Sequence, residues 1–152
     1  MSSISSMERE IARCEAEIER NKEEIKALEK RNEELREIKK KFEETHEKLY
    51  DYNKRRNNTY EELRYTLRNT KFVVQNADTM LEYINGSHYK KADDGVAESI
   101  KKVEQTIQKN EDRIEELKRR NDELRQKIAH LKEEIRRERE RERERRRKHK
   151  KS

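Results

Sequence analysis

One run of side chains, spaced alternately four and three residues apart, constrains this chain more than any other feature: Val96, Ile100, Val103, Ile107, Asn110, Ile114, Leu117, Asn121, Leu124, Ile128, Leu131 and Ile135. That spacing holds them on one narrow stripe of a helix wound at about 3.5 residues per turn, the pattern of a coiled-coil seam. The positions beside the stripe are dominated by Glu, Lys, Arg, Asp and Gln. Only the stripe can leave water, and it needs a partner helix to do so.

A second seam of the same kind runs through Ile4, Met7, Ile11, Cys14, Ile18, Asn21, Ile25, Leu28, Asn32 and Leu35. The two are a repeat, because an offset of 89 carries Ile18, Asn21, Ile25, Leu28, Asn32 and Leu35 onto Ile107, Asn110, Ile114, Leu117, Asn121 and Leu124. Asn on a seam lowers stability, and its best-attested use is to set register and oligomeric state. Antiparallel pairing with partner numbers summing to 142 sets Asn21 against Asn121 and Asn32 against Asn110. A parallel alignment at the 89 offset, or a second copy placing Asn21 opposite Asn32, matches the pattern equally well.

After Leu35 the apolar pattern slips by one position and resumes as Ile38, Phe42, Thr45, Leu49 and Tyr52. Asn53 to Thr59 holds no apolar residue, and Thr59 with Glu62 has capping-box spacing, so either a new helix starts there or one helix continues through a polar turn. A third stripe, Leu63, Leu67, Thr70, Val74, Ala77, Leu81 and Ile84, is widened by Phe72, Val73 and Met80. Asn85-Gly86-Ser87 then reads as a helix stop, with Gly86 available for a left-handed cap. Asp93, Asp94 and Gly95 precede the C-terminal helix, which places the expected main turn at residues 86–95. From that turn the 142 register demands a second reversal at residues 53–59, since about 57 Å of helix would otherwise separate points that the connection, reaching about 30 Å, has to join. A plain hairpin with sums near 181 would instead pair Leu81 with Ile100 and leave the N-terminal seam free for another chain. The expected fold is therefore all-α, an elongated antiparallel coiled-coil helical hairpin. It has two helices, or three if the second reversal forms.

Composition excludes most alternatives. Hydrophobic residues make up 28% of the 152 and charged residues 50%, with no Trp or Pro, too little apolar material for a globular core. The net charge of +6 sits in the tail: residues 136–152 carry eleven Lys or Arg against four Glu, leaving residues 1–135 close to neutral. The chain thus divides into a coiled-coil domain, 1–135, and a basic C-terminal tail, 136–152. Arg145, Arg146, Arg147, Lys148, Lys150 and Lys151 end that tail without an acidic residue among them. A solvated end, a patch for nucleic-acid phosphate or anionic lipid, and an import signal are the three readings of this run. Without interleaved aromatics it lacks the stacking platform of a dedicated single-strand binder.

Chemistry-bearing patterns are missing. There is no glycine-rich phosphate loop and no nucleophile elbow, and the abundant carboxylates read as solvated helix faces. Cys14 is the only cysteine and falls on a seam, while His46, His88, His130 and His149 lie far apart, so neither a metal site nor a cofactor is expected. No catalytic residue is assigned and no enzyme is read. The first ten residues are unlike a secretory signal, and no stretch approaches the roughly 18 apolar residues of a membrane span. A cytoplasmic protein is expected, and export would use a route without a cleaved signal.

In its layout, two coils about a glycine-bearing turn, the chain resembles the helical-hairpin partner proteins of LXG toxins in Gram-positive type VII secretion, relatives of the WXG-type hairpin. Ile84, Asn85 and Gly86 stand where that family carries Trp-x-Gly, with the glycine in common, and Tyr89 with Asp93 fits its Tyr-x-x-x-acid export pattern. The resemblance implies an adaptor or chaperone-like role on a toxin's N-terminal helical domain. The residues alone imply protein–protein interaction through Asn21, Ile25, Leu28, Asn32, Asn110, Ile114, Leu117 and Asn121. A homodimeric rod and a nucleic-acid adaptor using the tail are the alternatives.

Overall fold

The computed structural model describes residues 2–151, which form three helices: α1 Ser2–Thr66, α2 Lys71–Ile84 and α3 Ser87–Lys151. No strand occurs among the described residues, and the chain is an all-α helical hairpin. With no proline and only two glycines, 65-residue stretches rich in Glu, Lys, Arg, Gln and Leu have little to interrupt them.

The chain reverses at residues 67–70, and not at 53–59. Of the two alternatives at Asn53 to Thr59 the uninterrupted helix is the one that forms, and the Thr59 hydroxyl, instead of capping a new helix, donates to the Arg55 carbonyl at 3.0 Å, one turn back. Asn57 likewise donates to the Asn53 carbonyl at 2.8 Å. At the reversal the Leu67 amide still bonds to Leu63 O (3.0 Å), and the Thr70 amide tightens onto Leu67 O (2.9 Å). Thr70 then takes an extended backbone, φ −104° and ψ 98°, which ends the helical path and caps α2.

Helix α2 returns antiparallel to α1, with Arg64 paired to Asp78 at 3.1 Å and the Asn57 and Asn85 amides exchanging hydrogen bonds at 3.0 and 2.6 Å. The expected main turn at 86–95 is a two-residue bend. Asn85 N–H reaches Leu81 O, Gly86 N–H reaches Tyr83 O and Lys90 N–H reaches Gly86 O, so hydrogen bonds bridge the interruption and the backbone changes course without reversing. Gly86 has no positive φ, so the left-handed cap is not formed. Asp93, Asp94 and Gly95 lie inside α3, which continues along α1 in the direction of α2: His46 meets Asp93 at 2.6 Å and Lys39 meets Glu104 at 3.1 Å.

The two glycines therefore differ in role. A Cβ on Gly86 would stand 2.9 Å from the Glu82 carbonyl oxygen, whereas one on Gly95 meets nothing within 4 Å. Gly95→Ala is expected to raise stability by about 0.5–1 kcal/mol, the helix penalty of glycine. Gly86→Ala is expected to lower it, because backbone has to move. Thermal melts by circular dichroism check the opposite signs.

The structure forms two compact units. One comprises residues up to 31 with those from 109 onward; the other comprises residues 32–108 and contains the reversal and the bend.

Candidate interaction surfaces

In the first unit the seam is closed within the chain. Asn21 Nδ2 donates to Asn121 Oδ1 at 2.9 Å, the pairing of the 142 register, and Asn121 is only 2% exposed. Ile114 and Leu117 are buried, Ile25 and Leu28 half-buried, and Cys14, Ile18 and Leu124 form a core against which Ile128 packs. Asn110 is half-buried. Ion pairs flank the seam: Arg113 with Glu24 (3.3 Å), Arg120 with Glu17 (3.3 Å), Lys127 with Glu10 (2.8 Å) and Arg139 with Glu8 (3.0 Å).

These exposed pairs select a register more than they add stability. The hydrogen bond to Lys127 draws the Glu10 carboxyl below its ordinary range, and the same bond holds the Lys127 ammonium above the usual lysine value. The glutamate's contribution is present above its unfolded pKa and is lost as pH falls through the lower folded value. The lysine's is present below its unfolded pKa and is lost as pH rises through the raised folded value.

In the second unit the seam does not slip. The positions turned toward the opposing arm are Asn32, Leu35, Lys39, Phe42, His46, Leu49, Asn53, Arg56 and Tyr60, all buried or half-buried and all in phase with the N-terminal seam. One of the two seam positions in each heptad is thus polar from Asn32 to Asn53, and each such side chain has found a partner in the returning arm. Asn32 donates to the Ile107 carbonyl (3.3 Å), Lys39 pairs with Glu104, His46 with Asp93, and Asn53 donates to Asn85 Oδ1 (3.3 Å). Glu104 beside Lys39 holds its ammonium above the ordinary value. Continuity of the helix, with partners in reach, outweighs the apolar count that favoured a slip.

The consequence is a stripe with three of its five residues uncovered. Phe42 and Leu49 belong to both patterns and are half-buried, but Ile38 is 37% exposed, Tyr52 is 59% exposed, and Thr45 lies open between them. Sequence reasoning named these residues and assigned them to the interior. Phe72, expected to widen the third stripe, is 73% exposed, and Tyr50, Tyr65 and Tyr83, outside any seam, are also more than half exposed. Arg56 sits 5.5 Å from the centre of the Tyr52 ring and Arg68 sits 4.9 Å from that of Tyr65, so cations frame the open rings.

The tail is helical to Lys151. Arg136 bridges Glu133 and Glu140 (2.6 and 2.7 Å), and Arg141 and Arg145 share Glu138. Beyond Arg145, the side chains of Arg146, Arg147, Lys148, Lys150 and Lys151 are exposed in the last turns of α3.

Among the described residues no helix is long and apolar enough to cross a membrane. Compared with protein-family models, with curated proteins and with solved structures, the chain has no match.

Proposed function

We propose that this is a non-catalytic interaction protein that holds a helical segment of a partner protein along the half-covered stripe of its second unit. The observation that carries the reading is the pattern Ile38, Phe42, Thr45, Leu49 and Tyr52: a complete 3.5-residue stripe whose outer members face water. A helix laid beside α1 would cover Ile38 and Tyr52 and touch the open flank of Phe42 and Leu49, the ordinary way an amphipathic helix enters an apolar groove. Tyr52, with Arg56 over its ring, is the kind of large amphipathic anchor that dominates binding energy at interfaces.

The layout resemblance makes a toxin's N-terminal helical domain the first partner class to test, and with it export without a cleaved signal. The glycine shared with that family stands at the α2–α3 bend, away from the reversal at 67–70, so this part of the reading rests on the two-coil layout and on Tyr89 with Asp93.

Co-purification of the full chain from its native source, compared with Ile38→Glu plus Tyr52→Glu, tests the proposal. The wild type is expected to recover a helical partner that the double variant loses, with unchanged circular dichroism. Equal recovery by both would remove the stripe as the site. The exposed cationic end of α3 supports a second reading, a polyanion-binding adaptor. It takes precedence if neutralising Arg145, Arg146, Arg147, Lys148, Lys150 and Lys151 abolishes every partner while the stripe variant keeps them.

A further inference from the structure

The reversal at 67–70 is built like a helix that has been interrupted at one residue. Thr66-Leu67-Arg68-Asn69-Thr70 contains neither Gly nor Pro, no residue around it has positive φ, and hydrogen bonds run from Leu67 to Leu63, Thr70 to Leu67 and Val74 to Thr70. Thr70 is the extended residue, and its side chain makes no capping hydrogen bond. Such a turn has no conformational need for its folded-back state.

Seam phase makes the same point independently. Following α1 past Tyr60, the alternation of three and four continues as Leu63, Leu67, Thr70, Val74, Ala77, Leu81 and Ile84, with no step skipped across the reversal. A genuine phase break exists elsewhere: after Ile84 the next half-buried seam side chain is Tyr89, five residues on, and it falls at the Asn85-Gly86 bend. Had the reversal been the fixed end of two separate helices, nothing would have required the stripe to pass through it in register. Within the hairpin, Leu63 and Leu67 are each 40% exposed although they lie on the seam.

We infer that this protein exchanges arms with a second copy of itself: the turn straightens, α1 and α2 become one helix, and each copy's returning arm lies on α1 of the other. A chain whose arms pair antiparallel at a constant number sum offers the same contacts to a two-fold-related copy, with the axis at half that sum. Asn21 with Asn121, Asn57 with Asn85 and Arg64 with Asp78 all sum to 142, which puts the axis at residue 71, next to the turn. All contacts of the second unit are regenerated between copies. In addition, Leu67 and Thr70, which lie in the turn of the hairpin, join the seam of a continuous helix, where Leu67 of one copy meets Val74 of the second. A short hinge connecting two long arms is the usual setting for such exchange. This inference is independent of the docking stripe.

Three full-length chains test it. Thr70→Leu adds an apolar seam residue and removes no hydrogen bond, so it favours the straight helix. Lys71→Pro favours the turn, since proline suits the first helical position and imposes on residue 70 the extended backbone that it already has. Light scattering is expected to give twice the 18.8 kDa chain mass for Thr70→Leu and the single-chain mass for Lys71→Pro. In mixtures of isotopically heavy and light chains refolded together, zero-length cross-links between Lys39 and Glu104 are expected to join heavy to light copies in Thr70→Leu. A helical Thr70→Leu that stays monomeric, or a dimer whose links all remain within one copy, overturns the inference. Should Thr70→Leu fail to fold, the wild type refolded at high concentration decides: heavy-to-light links absent from Lys71→Pro support exchange, and links that are missing from the wild type or persist in the proline variant overturn it.

Discussion

Asn21→Leu is expected to melt earlier than the wild type, and the double change Asn21→Leu with Asn121→Leu is expected to melt later than either. In the single variant Asn121, 2% exposed, loses the amide that it bonds at 2.9 Å and keeps a buried polar group without a partner, at a cost of about 1–3 kcal/mol. In the double variant two apolar side chains meet across the seam, and burying each is worth about 1.5–3 kcal/mol. For a chain of this size, about 2–4 °C of melting temperature accompanies each kcal/mol. The gain comes with weaker specification of register, because a polar layer tolerates only the alignment that pairs it. Size-exclusion chromatography with light scattering is therefore expected to show more than one species for the double variant. If the double variant melted early as well, the Asn21–Asn121 bond would not be the layer that sets the register.

Leu124→Ala is expected to cost about 2–5 kcal/mol, the range for truncating a buried leucine. Leu124 is 2% exposed and packs with Cys14, Ile18 and Ile128, so the truncation opens a gap that a two-helix layer cannot close by collapsing. Ile38→Ala, on the open stripe, makes the contrast: it removes a side chain that is already 37% exposed and is expected to shift stability by less than about 1 kcal/mol. Denaturant unfolding of the two variants side by side measures the difference.

Much of the helical content and the first unit's seam were legible because apolar residues at 3.5-residue spacing leave few other structures for so charged a chain. The paired Asn21 and Asn121 were legible from their matched places in the repeat. The reversal was misplaced because Gly86 drew it. Glycine marks turns when its left-handed freedom is used, and here it is not. The register itself contained the correction, since arms pairing at a sum of 142 have to turn near residue 71, at Arg68-Asn69-Thr70, which bears no turn-forming glycine or proline. The apparent slip after Leu35 had a related cause. Ile38 and Tyr52 looked like better seam residues than Lys39, His46 and Asn53 until the returning arm supplied Glu104, Asp93 and Asn85 as partners. That exchange of polar for apolar residues on the seam is what leaves the open stripe, so the candidate site was visible only once the register was known.

Cross-linking mass spectrometry with an amine-reactive linker tests the register on which all of this depends. In the 142 register Lys40 lies level with Lys102 and Lys41 with Lys101, and links between these pairs are expected, as are links from Lys22 to Lys118. Links joining Lys71 to Lys102, with none between Lys40 or Lys41 and Lys101 or Lys102, would mean that α2 folds back on α3 and would contradict the fold described above.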